Sequence, residues 1–201
     1  MIRREFLFTL FPMGSVLKGP LILPVHQVLD ARARLKPEQI SDFSSGIWRE
    51  AVRDFGRCGV QLRSDRVVAD VRRSPSEKPI FSGLRHGAIN LVLTNYVPLE
   101  WDNGRGLTGV ATRYEGHDLC VIALNHAHGH QVPFLSVNTC VHELLHVLLR
   151  DVMETRPKGV RGEARELRID LLATRLWLFH DGATIRNAVN AYLGCVPSPA
   201  C

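Results

Sequence analysis

"NTCVHELLHVLLRD", residues 138–151, sets two histidines and a glutamate, His142, Glu143 and His146, in an otherwise apolar run. The run reads as part of a helix over roughly 134–151. On an α-helix, residues four apart lie one above the other, so His142 and His146 share a face. Glu143 points about 100° further round. Two imidazoles placed this way can bind one ion at about 2.0–2.1 Å. The neighbouring carboxylate cannot easily join them as a ligand, but it can reach a water on that ion. Zinc brings such a water's pKa near 7, and a carboxylate beside it can take the proton as general base. These are the mechanics of H-E-x-x-H in metallopeptidases. With nine His in 201 residues, chance supplies the pattern about 0.02 times per chain. A core helix without metal would bury two imidazoles and a carboxylate at a cost of several kcal/mol unless each is paired. One ion pairs all three.

A catalytic zinc takes three protein ligands and keeps a position open for water. The H-E-x-x-H-x-x-G-x-x-H scheme is excluded, because Leu149 and Val152 stand where it needs Gly and His. The remaining source is the next helix, read at 163–180 within "GVRGEARELRIDLLATRLWLFHDG", residues 159–182. That segment offers Glu163 and Glu166. Glu166 is favoured because Asp170, four residues on, shares its face and sits among apolar residues where a carboxylate needs a partner. The second ring nitrogen of a ligand histidine is such a partner. Pro157, Gly159 and Gly162 break the chain between the two helices and let the second run back antiparallel over the first. Glu163 is the fallback.

Around these helices the pattern is that of one α+β domain. Residues 37–57, with Pro37 near the start, carry Ile40, Phe43, Ile47, Ala51, Val52 and Phe55 at helical spacing. Short β-branched runs follow: "GVQLR", "RVVADV", "AINLVLTNYV", "LTGVATRY" and "DLCVIALN". They predict four or five strands, with loops at "RRSPSEKPIFSG" and "EWDNGRG". A last helix is expected near 184–193. The expected architecture is one small mixed sheet with an N-terminal helix, then the histidine helix, then a helix antiparallel to it.

Charge and cysteine usage narrow the classes. The net charge is +5, but it is not clustered. Arg49, Arg53 and Arg57 fall on one helix face with Glu50 and Asp54 interleaved, which is a solvated face and no nucleic-acid surface. Five cysteines form no C-x-x-C pair, which argues against a cysteine zinc site. Cys58, Cys120 and Cys140 read as buried small residues, while Cys195 and Cys201 could bridge if the protein is exported. Export is suggested by residues 1–24, where Arg3, Arg4, Phe6 and Leu7 match the R-R-x-F-L pattern of twin-arginine signals ahead of an apolar stretch. The alternative is a cytoplasmic protein whose basic N-terminus leads into a first core strand or helix. The apolar stretch is too short and broken for a stable membrane span. Residues 25–201 then form a single domain. "NHAHGHQ", residues 125–131, places His126, His128 and His130 on an alternating segment. They could hold a second metal, line a cleft and steady an oxyanion, or form a solvated loop.

H-E-L-L-H, a Glu twenty residues after the second His and an Asp four residues later together resemble the gluzincins, the thermolysin-like branch of the zincin metallopeptidases. The resemblance covers about thirty residues at its core, and only loosely the strand-then-helix order before them. It implies a zincin-like fold and a zinc-dependent endopeptidase with one Zn2+ acting on a peptide or protein substrate. His142, His146 and Glu166 would be ligands, Glu143 the general base, and Asp170 the orienter of a ligand histidine. It also implies a sheet whose edge strand aligns an extended substrate, a role for "LTGVATRY" or "DLCVIALN". The outline is that of the minimal single-domain forms, with His180 and Tyr192 as positional candidates for the transition-state-stabilising His and Tyr. Two positions depart from the family pattern: Arg165 replaces an Asn and Ile169 a Ser. The alternative is a zincin-fold metal-binding or interaction protein with weak or no hydrolytic activity. Oligomeric state leaves no signal in the sequence.

Overall fold

Four of the five strands of the main sheet run parallel, and inner strands such as "INLVLT", residues 89–94, and "LCVIA", residues 119–123, are covered on both faces and read as continuous apolar runs. The computed structural model describes residues 19–74, 77–95, 97, 108–125, 130–132, 135–152, 160–178 and 182–195. The strands are β1 (Leu21–Asp30), β2 (Val60–Ala69), β3 (Val71–Ser74), β4 (Glu77–Phe81), β5 (Ile89–Thr94), β6 (Gly109–Tyr114), β7 (His117–Ala123), β8 (His130–Val132) and β9 (Leu135–Val137). The helices are α1 (Pro37–Phe43), α2 (Arg49–Arg57), α3 (Thr139–Leu148), α4 (Val160–Leu178) and α5 (Gly182–Cys195). The sheet order is β2-β1-β5-β7-β6. β1 is parallel to β2 and β5, β5 is parallel to β7, and only β6, at the edge, is antiparallel. The class is therefore α+β with one mixed sheet.

Alternate residues of each strand supply two cores. Leu23, Leu91, Cys120 and Ile122 face a helical layer, where they meet Phe43, Phe55, Leu144, Leu145 and Ile185. Val28, Val92, Leu119 and Val121 face the other way and meet Val71 and Phe81 of the β3–β4 hairpin. The hairpin is a correction. The segment 72–83 reads as a loop from its Ser, Pro and Gly, yet β3 and β4 pair antiparallel with Val71 opposite Phe81. Those two apolar residues cover the sheet's second face, and tertiary burial overrides the weak local strand signal.

Three further differences have physical causes. "GVQLR" and the "RVVA" of "RVVADV" are one edge strand, β2, whose residues are largely exposed after Leu62 and so show no clean alternation. β1 lies second in the sheet and begins at Leu21, so Leu21–Pro24 belong to a core strand. The helix expected from 134 starts at Thr139, because Leu135–Val137 pair with β8 first. The 37–57 helix is present, with a π-turn at Ser44–Trp48 joining α1 to α2. Pro37 opens it, and the Lys36 N–H donates to Gln39 Oε1 at 2.8 Å. Residues 1–18, which hold Arg3 and Arg4, lie outside the described residues, as do His126, His128, His180 and Cys201. Among the described residues, no helix is long and apolar enough to cross a membrane.

Candidate metal centre

The helix that carries the histidines is fastened at both ends. Asn138 caps its start: Oδ1 accepts from the Val141 N–H at 3.1 Å. Asn138 Nδ2 donates to the Ile47 carbonyl in the π-turn at 2.8 Å. At the other end Arg150 takes the left-handed conformation, φ 55°. This lets the Arg150 N–H reach the Val147 carbonyl at 3.0 Å and the Asp151 N–H reach the His146 carbonyl at 2.8 Å. The pattern is a Schellman cap. Every residue of α3 is buried, including His142, Glu143 and His146 at 5%, 3% and 4% exposure.

Three donor atoms converge beside this helix. His142 Nε2 lies 3.0 Å from His146 Nε2, and Glu166 Oε2 on α4 lies 3.2 Å from each. Ligands at about 2.0 Å in a tetrahedron stand about 3.3 Å apart, so the triangle has the size of one face of a zinc site. The far side of each ring explains its direction. His142 Nδ1 meets Asp170 Oδ1 at 2.8 Å, both atoms shut off from solvent. His146 Nδ1 meets the Asp151 carbonyl at 2.9 Å. A carbonyl can only accept, which assigns the His146 proton to Nδ1, and the Asp170 carboxylate beside His142 Nδ1 favours the same tautomer there. Both Nε2 lone pairs and a carboxylate oxygen then face one point. A proton there satisfies one pair of the three, whereas a divalent cation satisfies all of them. The donor set could hold a metal ion.

Asp151 makes a further contact: its Oδ1 lies 2.8 Å from Nη1 of Arg165, which adjoins Glu166 in the chain. Among the described residues, no other three His, Cys, Asp or Glu side chains converge as His142, His146 and Glu166 do. Glu163 is exposed and takes no part.

Glu143 lies against the edge strand. A Cβ built on Gly109, the first residue of β6, would stand 2.8 Å from Glu143 Oε1 and 2.9 Å from both Glu143 Cγ and Thr139 Cγ2. Glycine is what allows the strand to approach the carboxylate this closely. Cys120 and Cys140 lie nearby, fully buried. Burial first, and the Glu143 charge second, push both thiols well above their ordinary range, so they stay neutral. Tyr192 on α5 is buried, and its hydroxyl faces the Asp118 carboxylate; burial and then that charge push the phenol up. His130 is in β8. Asp151 and Gly109 are the residues missed by reasoning from sequence. Gly109 left one signal, a glycine at the head of an otherwise β-branched run. Asp151 left none, because its part depends on the turn at Arg150.

Comparison with protein-family models, curated proteins and solved structures returns no match for this chain.

Proposed function

We propose that this chain is a zinc metallopeptidase that hydrolyses peptide bonds, with His142, His146 and Glu166 as ligands. The observation that carries this is the triangle of two imidazole nitrogens and one carboxylate oxygen, each imidazole held with its lone pair inward. A zinc ion held there supplies Lewis acidity, which polarises a carbonyl and acidifies water. The chain's own residues supply the rest. Glu143 accepts a proton from the attacking water and returns it to the leaving amine. Asp170 and the Asp151 carbonyl hold the imidazoles in register. The antiparallel edge strand β6, with Gly109 against Glu143, offers backbone groups along which an extended peptide can lie. A mixed sheet followed by a histidine helix and a second helix bearing the glutamate supports a zincin-like fold.

The test is zinc per chain together with cleavage of unfolded casein. Wild type is expected to hold near-stoichiometric zinc and to cleave. Glu143→Gln should keep the zinc and lose cleavage by at least a hundredfold, the scale of a lost general base. Glu166→Ala should lose zinc. A protein that holds zinc and leaves casein intact under all conditions would instead be a metal-binding or interaction module of the same architecture.

A further inference from the structure

The three ligands come from two helices, so something must fix α4 against the end of α3 before a metal can find its third donor. Two contacts do so beside the ligands. One is His142 with Asp170, already part of the site. The other is the ion pair of Asp151 with Arg165. Asp151 is 8% exposed while Arg165 is about half exposed, so the pair is screened from the arginine side only and holds more than a fully open surface pair would. The same residue grips His146 twice through its backbone, its N–H on the His146 carbonyl and its carbonyl under the His146 Nδ1. Arg165 is covalently adjacent to Glu166. A short chain of contacts therefore runs from Glu166 through Arg165 and Asp151 to the ring of His146.

We infer that Asp151 and Arg165 are a positioning pair for the metal centre. The pair sets the register at which α4 presents Glu166 and keeps His146 turned with Nε2 toward the ion. The inference rests on the zinc reading above and assigns a role to a position, Arg165, where the resemblance offers an asparagine. Asp151→Asn leaves the carbonyl under His146 in place and removes the charge, but that carboxylate also lies 3.9 Å from His146 Nδ1, so the variants at Arg165 are the ones that isolate the pair. Arg165→Gln removes the other half, and Arg165→Lys keeps the charge while losing the fork geometry.

The experiment is zinc affinity of the full chain, read by competition with a chromophoric chelator, beside the melting temperature of the metal-free protein. Cobalt(II) absorption serves as a second report on coordination. Asp151→Asn and Arg165→Gln are each expected to weaken zinc by about ten- to a hundredfold, the range for partners of metal ligands. The double variant should bind no more weakly than the weaker single one, and Arg165→Lys should recover part of the loss. The cobalt spectrum of both single variants should weaken as Glu166 is drawn off. Affinity within twofold of wild type in Arg165→Gln, while Glu166→Ala loses zinc, would overturn the positioning role and leave the metal centre standing. Losses that simply add in the double variant would also overturn it. Absence of zinc from wild type would overturn both.

Discussion

A single missing side chain places the edge strand against the residue proposed as general base. Gly109 is where β6 meets Glu143, and its methyl-sized gap is already filled by Glu143 and Thr139. Gly109→Ala should force Glu143 or the strand aside. The expected cost is about 1–3 kcal/mol in urea unfolding, as for other overpacked sites, with a tenfold or greater loss of casein cleavage and zinc unchanged. Unaltered cleavage with full stability would show that the strand yields freely and that the contact does not position Glu143. At this scale the converging side chains were legible in the sequence: His142 and His146 from their spacing, and Glu166 with Asp170 from one more helical repeat. Gly109 was legible only as a glycine, because what a missing Cβ would touch is a property of the fold.

At the scale of elements, α3 shows how a helix can be recognised while its ends are not. Its apolar run is plain, but the start depends on β9 pairing with β8 and the end on Arg150 adopting a left-handed turn. Asn138 caps α3 and also ties it to the π-turn between α1 and α2. Asn138→Ala should cost about 1–2 kcal/mol, from the lost cap and an Ile47 carbonyl left to water. Asn138→Asp keeps the cap acceptor but cannot donate to Ile47, so it should recover part of that. Equal urea midpoints for alanine and wild type, measured without metal, would show that the cap is replaced by solvent. The 72–83 segment teaches the converse. Its Ser and Pro argue for a loop, and the hairpin exists because Val71 and Phe81 have a sheet face to cover.

Across the whole molecule, the sheet and its two apolar faces hold the architecture, while the cluster of His142, His146 and Glu166 joins α3 to α4. Binding to the folded state alone stabilises it by about 2.7 kcal/mol at a free concentration one hundred times Kd. The unfolded chain has no reason to bring Glu166 to His142, so zinc should act on the native state in this way. Wild type and Glu143→Gln should therefore melt several degrees higher with zinc than after chelation, since Glu143 is not among the three converging donors. Glu166→Ala should show little of that shift, because two histidines without the carboxylate hold the ion weakly. Calorimetry with and without chelator reads this directly, and it does so without any substrate. A wild-type melting temperature indifferent to zinc would mean that the triangle is filled by a proton and that the polar cluster is structural. A shift retained in Glu166→Ala would mean that the third donor lies elsewhere.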